Sequence, residues 1–344
     1  MAERVKTLDF RSDTVTRPTP AMRTAMAEAE VGDDVYGEDP TVNRLQEQAA
    51  LRLGMEAALF VPSGTMANQV ALRTLGRPGD VVLAGQDAHL LLYESGAPWA
   101  LSGLQVTPLG RGGLFEGSDV RRAVHPSDAH YAPTTIVAVE NTHNRSGGRV
   151  FPLDLAKDVA AAARDAGLAL HLDGARLFNA EAATGTPAAE WAGLFDTVSF
   201  CLSKGLGAPV GSLVCGSRER LRALHRALKL LGGGMRQAGV LAAAGLHALE
   251  HHVARLADDH ANARRLAAGL AGLGLRVDPA PETNMVLFDV DDGTAFSRAL
   301  GERALRINPI APGRYRAVTH LDVSEADVDD ALGRIEEIVR GGVR

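Results

Sequence analysis

Lys204 follows the apolar run Thr197–Ser203. A lysine leaving such a run is unusual, because burial disfavours its charged form. A neutral amine held there attacks aldehydes and forms Schiff bases. Asp173 ends a second apolar run, in His171-Leu172-Asp173-Gly174-Ala175-Arg176. Open α/β sheets place their ligand contacts at such strand ends, and an acid there would keep a heterocycle nitrogen protonated. Pro62-Ser63-Gly64-Thr65-Met66-Ala67-Asn68 joins a strand-like run to a helical one. Its N–H groups, the helix dipole and the hydroxyls of Ser63 and Thr65 favour an anion. Lys229 and Arg236 flank Gly232-Gly233-Gly234 and add two cations that could meet a phosphate. Each feature alone has a structural explanation: a snorkelling lysine, a turn aspartate, a helix cap, a solvated helix face. Together, an anion site, an acid for a ring nitrogen and an amine for an aldehyde are what pyridoxal 5'-phosphate requires, with the Schiff base at Ser203-Lys204-Gly205.

These residues need a sheet to position them. Ala57–Val61, Val81–Ala84, Gln105–Leu109, Thr134–Glu140, Leu168–Asp173, Thr197–Ser203 and Ser212–Gly216 read as short apolar strands. Thr65–Leu75 and Asp154–Ala166 read as helices between them, the second ended by Gly167. Such alternation predicts a mostly parallel sheet covered on both faces. A helix from about Met235 to Leu270 would be far longer than the usual ~11–12 residues, so it either bridges two domains or breaks once. The tail reads strand (Asn284–Val290), helix (Thr294–Ala304), strand (Arg314–Thr319), helix (Glu325–Arg340), a small α+β unit. The expected organisation is a large α/β unit over 1–248, N-terminal segment included, and a small C-terminal α+β unit over 249–344.

Composition narrows the partners. The 344 residues carry a net charge of -6, with no basic patch of the kind nucleic-acid readers use, and aromatics are only 4 %. No apolar run of about 18 residues is present, so no membrane span is expected. Met1 to Asp9 carries charges and no apolar h-region, so no secretory signal is expected either. Cys201 and Cys215 lie in apolar runs and read as buried thiols of a reducing, cytoplasmic compartment. One motif points elsewhere. His247-Ala248-Leu249-Glu250-His251 matches H-x-x-E-H, a zinc-hydrolase pattern with both histidines on one helix face. It lacks an evident third ligand and leaves Asp173 and Lys204 unexplained.

At this point the chain resembles the low-specificity L-threonine aldolases of the aspartate-aminotransferase fold, fold-type I. The resemblance covers nearly the whole chain. It is densest in Asp9-Phe10-Arg11-Ser12-Asp13-Thr14-Val15-Thr16, Val31-Gly32-Asp33-Asp34-Val35-Tyr36-Gly37, Glu140-Asn141-Thr142-His143-Asn144, His171 to Arg176, Cys201-Leu202-Ser203-Lys204-Gly205-Leu206-Gly207, Gly232 to Gln237, and Val318-Thr319-His320-Leu321-Asp322. By that resemblance, Lys204 carries the cofactor, Asp173 pairs with its pyridine nitrogen, and Gly64 and Thr65 hold its phosphate. Arg176 would meet its phenolic oxygen and His89 would stack on its ring. Ser12 and Arg316 would take the substrate carboxylate, with Glu94 an acid of the same region and His130 a second histidine near the substrate hydroxyl. Tyr36, Lys229 and Arg236 would approach from a neighbouring subunit of a homotetramer, a dimer of dimers. The implied activity is retro-aldol cleavage of L-threonine, L-allo-threonine and related β-hydroxy-α-amino acids, with His89 or His130 as base. β-Elimination or transamination on the same fold, and a non-catalytic cofactor binder, are the neighbouring readings.

Overall fold

The structure, a computed structural model, describes residues 6–343. The reading of Met1 to Asp9 rests in part on residues 1–5, outside the described residues. A seven-stranded sheet runs in the order Ala57–Val61, Ser212–Gly216, Thr197–Cys201, Ala169–Asp173, Thr134–Glu140, Val81–Gly85, Gln105–Leu109. Only Ser212–Gly216 runs against its neighbours. The strands read as apolar runs because both faces are covered; Val81–Gly85 is buried from end to end.

Alternate residues feed different cores, as a period of two dictates. Leu83, Val137, Leu170, Leu172, Val198 and Phe200 join the helices Pro40–Leu53, Leu153–Asp165 and Gly239–His251 on one face. Val82, Ala84, Ile136 and Ala138 face the other way, as do Leu59, Val61 and Val214, which pack against Gly64–Leu75 and Arg218–Leu230. Burying each large apolar side chain contributes roughly 1.5–3 kcal/mol against the entropy of ordering the chain. The register sets Glu140 opposite Asp173 and Asp173 opposite Ser199. Three polar residues therefore stand level at the C-terminal edge of the sheet, where parallel strands deliver side chains to a cleft.

The tail is a small α+β unit. Asn308–Ala311, Arg314–Val318, Met285–Asp289 and Arg276–Val277 form an antiparallel sheet packed on Leu256–Gly272, Gly293–Glu302 and Glu325–Arg340. The helix expected over Met235–Leu270 is two helices, Gly239–His251 and Leu256–Gly272. They part where the His252 ring donates from Nδ1 to the Leu206 carbonyl at 2.7 Å. The boundary expected near residue 248 falls inside the first helix, while the apolar clusters change over between Leu256 and Ala263. Leu8–Asp9 pairs in parallel with Leu305–Arg306, and Leu8 and Phe10 lie in the small unit's core. The N-terminal segment, expected with the large unit, thus packs on the small one before crossing to the cleft at Ser12. No described helix is long and apolar enough to cross a membrane.

Candidate active site

Lys204 sits just past the strand Thr197–Cys201, half-buried, on the wall of a cavity of about 400 Å³. Ser12, His89, Tyr93, Asn144, Arg176 and Arg316 share that wall. Elements from both units and the N-terminal segment therefore meet around one amine.

Beneath the cavity lies a buried polar network. Asp173 Oδ1 accepts the Ala175 N–H at 3.1 Å, and Oδ2 accepts from Asn68 Nδ2 at 2.7 Å. The same Asn68 nitrogen donates to Glu94 Oε1 at 2.7 Å. Two carboxylates need donors, which fixes the amide orientation: Asn68 Oδ1 must accept, from Ser199 Oγ at 3.1 Å and His171 Nε2 at 3.1 Å. His171 then carries its proton on Nε2, and Nδ1 accepts from the Thr197 hydroxyl at 2.9 Å. Burial pushes His171 down to about 4, so it is neutral. Burial alone would raise Asp173, but His89, Lys204 and the Asn68 hydrogen bond outweigh it and hold the carboxyl below its ordinary range. Asp173 is a buried anion at the C-terminal end of its strand.

His89 begins the short helix His89–Leu92, and its Nδ1 lies 3.0 Å from Glu94 Oε1. A carboxylate accepts, so Nδ1 carries the proton and Nε2 keeps its lone pair for the cavity. Burial pulls the imidazole down, yet the Glu94 hydrogen bond and the field of Asp173 win and place it above the ordinary histidine value. Glu94 is itself held by Gln69 Nε2 at 2.9 Å, whose oxygen accepts from Ser102 at 3.0 Å. His89, Glu94 and Asp173 offer ligand atoms within 4.8 Å of one another. Asn68, donating to both carboxylates, explains that closeness.

The other wall is cationic. Arg176 is buried and gives Nε and Nη2 to Asp13 at 2.7 and 2.6 Å. Burial opposes the Asp13 charge, but Arg176 outweighs it and holds the carboxyl far below its ordinary range. Arg316 donates Nη1 to Asn144 Oδ1 at 2.8 Å, while its buried Nε has no hydrogen-bond partner in the protein. Burial and the nearby Arg176 lower its affinity for a proton. A guanidinium on the cavity wall that still has an unpartnered N–H suits an incoming carboxylate.

Ser63 caps the helix Gly64–Leu75 by accepting the Met66 N–H at 3.2 Å. A Cβ on Gly64 would come within 2.8 Å of Cys201 Sγ, so only glycine lets the helix start this close to the sheet. The chemistry of the donor set fits pyridoxal phosphate: a helix N-terminus with hydroxyls, a buried anionic Asp173, and the amine of Lys204 on the cavity wall.

Several expected residues lie elsewhere. His130 is exposed, before the strand Thr134–Glu140. That strand, roughly 20 Å long by ordinary strand rise, separates it from the edge where Glu140 and Asp173 stand. A single chain does not bring His130 to this cavity, because the loop precedes its strand rather than following it. Tyr36, Lys229 and Arg236 are exposed and do not line the cavity either. They cluster instead: Arg236 pairs with Asp33 at 3.1 Å, its carbonyl accepts the Asp34 N–H at 3.1 Å, and the Lys229 stem lies over Gly234. The rings of His247 and His251 lie 4.6 Å apart, tilted by 55°, but Glu250 and His251 point outward, and these residues form no convergent ligand set among those described. The zinc-hydrolase reading falls with them. Asp13, Asn68, Glu140 and Asn144 lie inside the sequence motifs, but nothing in their spacing shows the partners they meet.

A mostly parallel α/β sheet with a smaller C-terminal unit, and a lysine, an acid and a histidine at the strand ends, define a fold-type I enzyme of the pyridoxal-phosphate class. The chain belongs to the beta-eliminating lyase family, whose sequence pattern matches residues 9–293, and within it to the low-specificity L-threonine aldolases. It is 46% identical over 321 residues to a low-specificity L-threonine aldolase of Escherichia coli O157:H7, covering 92% of this chain and 95% of that one. A probable low-specificity L-threonine aldolase 2 of Arabidopsis thaliana is 42% identical over 346 residues, covering 97% and 98%. The threonine aldolase structure of Leishmania major superposes with a TM-score of 0.80 at 23% identity, over 95% of this chain and 99% of that one, and shares the fold.

Proposed function

We propose that this chain cleaves L-threonine, L-allo-threonine and related β-hydroxy-α-amino acids to glycine and an aldehyde, reversibly, with pyridoxal phosphate as cofactor. The observation that carries the reading is the convergence of Lys204, His89, Ser12 and Arg316 on one cavity, over Asp173, in a chain of this family. When bound, the cofactor supplies an electron sink for the bond that breaks.

The chain's own residues do the rest. Lys204 supplies the amine that takes the cofactor aldehyde. Asp173, an anion at the sheet edge, keeps a proton on the ring nitrogen. Ser63, Gly64, Thr65 and Ser203 would hold the phosphate, with the helix N-terminus at Gly64 favouring an anion. His89 offers its ring as a stacking face, and Arg176 stands ready for the phenolic oxygen. Arg316 and Ser12 grip the substrate α-carboxylate, each charge-assisted bond contributing about 1.5–3 kcal/mol. That grip orients the substrate so that the Cα–Cβ bond, rather than another bond at Cα, is the one broken. His89 Nε2, with Nδ1 committed to Glu94, takes the β-hydroxyl proton.

The reading includes a homotetramer in which Tyr36, Lys229 and Arg236 complete a neighbour's site. Exposed Val35, Tyr36 and Leu230, beside those two cations, support it, since contiguous apolar surface marks an interface. A cytoplasmic location accords with two free, buried cysteines.

The test is a product analysis. Incubated with L-threonine and cofactor, the protein yields glycine and acetaldehyde in equal amounts. Formation of 2-oxobutyrate, or of the aminated cofactor, in place of acetaldehyde would overturn the aldolase reading in favour of elimination or transamination.

A further inference from the structure

Glu140 ends the strand Thr134–Glu140 level with Asp173, and only 6% of it is exposed. Its two oxygens are used differently. Oε2 accepts the His89 N–H at 2.6 Å, and Oε1 accepts the Asn144 N–H at 2.8 Å. His89 opens the helix His89–Leu92, whose N-cap, Ala88, has no side chain able to cap it. Glu140 therefore does the capping from a different strand. Asn144, at the other oxygen, holds Arg316 Nη1 at 2.8 Å through its side chain. One carboxylate thus ties the histidine on one wall of the cavity to the arginine on the other.

We propose that Glu140 is a positioning residue that sets His89 and Arg316 in mutual register, acting through two backbone N–H groups. The proposal rests on the functional reading above, in which His89 takes the β-hydroxyl proton and Arg316 takes the carboxylate. A buried carboxylate is a costly way to satisfy two N–H groups. Burial raises Glu140, against the pull of His143, whose Nε2 lies 3.9 Å away, and neighbouring Asp173 raises it further. The anion is the form that serves both donors, because a protonated oxygen would meet an N–H with an O–H.

Glu140→Gln tests this, because its amide NH2 cannot accept a hydrogen bond, so one N–H loses its partner. Misplacing groups by about 1 Å can cost on the order of 100-fold. The variant should lose kcat and bind glycine about 10-fold more weakly by calorimetry on the cofactor-loaded protein. Asn144→Ala should weaken glycine binding, and the double variant should bind glycine no worse than Asn144→Ala alone, since both changes remove the same tether. Additive losses in the double variant, or glycine affinity and kcat within twofold of wild type in folded Glu140→Gln, would overturn the proposal. Should that variant fail to fold, amide exchange on the wild-type protein decides: the His89 and Asn144 amide protons should be strongly protected, and rapid exchange of both would dismiss the tether. Failure of the aldolase reading is visible separately, as wild-type protein that releases no acetaldehyde.

Discussion

Asn68 Nδ2 lies 2.7 Å from Asp173 Oδ2 and 2.7 Å from Glu94 Oε1, so one amide group bridges the acid that ends its strand and the acid behind His89. Removing it strips a donor from two buried anions at once. Hydrogen bonds to charged groups contribute about 1.5–3 kcal/mol, so Asn68→Ala should cut kcat by about 10- to 100-fold. Steady-state kinetics with L-threonine provide the check; a kcat within twofold of wild type would show that Asp173 and Glu94 hold themselves.

Glu94 governs the proton on His89. Its hydrogen bond to Nδ1, opposed by burial, is the main reason His89 lies above the ordinary histidine value. His89 must be unprotonated on Nε2 to act as a base, so activity should fall as pH drops through its pKa. Glu94→Gln removes the anion, and the acid limb of the kcat–pH profile should move to lower pH. A limb that stays in place would assign the base to another group.

Asp13 and Arg176 form a buried pair between the N-terminal segment and the large unit. Leaving one charge of such a pair unpartnered costs about 3–5 kcal/mol, so Asp13→Ala should lower stability by that amount in urea unfolding. The sign with pH follows from the depressed carboxyl. Its contribution is complete above the unfolded value of about 3.9 and is lost as pH falls through the folded one. Equal acid sensitivity in the wild type and the variant would count against it.

His171 adds to the same trend by a different cause, the burial of a neutral ring. The unfolded chain binds a proton at this residue near about 6.5, whereas the folded one resists until about 4. Stability from this group is therefore complete above the unfolded value and drains away as pH falls toward the folded one. The loss is on the order of 3 kcal/mol for a shift of this size. His171→Gln, which still offers an N–H toward Asn68, should show a shallower fall in urea midpoint between pH 7 and pH 5. A slope unchanged from wild type would mean His171 is not the group responsible.

Much of this architecture was legible in the chain. The strand Thr134–Glu140 and the helix Glu325–Arg340 were read with the bounds they have, because continuous apolar runs and a capped amphipathic helix are local signals. Lys204 and Asp173 stood out because charged residues at the ends of such runs are uncommon. What stayed hidden depends on chain meeting itself at a distance. Asp13 reaches Arg176 across 163 positions, and Glu140 reaches His89 across 51. No periodicity encodes those meetings. That Leu8 and Phe10 join the small unit's core was hidden for the same reason: two residues pairing with Leu305–Arg306 carry almost no pattern. For His130, the sequence carries no signal of which end of the sheet its loop occupies; that loop precedes the strand Thr134–Glu140.

Every role assigned at this site depends on the side-chain amine of Lys204 being the group that captures the cofactor's carbonyl carbon. Borohydride reduction of the cofactor-loaded protein, followed by peptide mass mapping, reads this directly. The cofactor's mass should appear on the peptide containing Lys204, and Lys204→Ala should lose both that adduct and the visible absorption band. An adduct on a different lysine, or an intact visible band in the variant, would contradict the site as a whole.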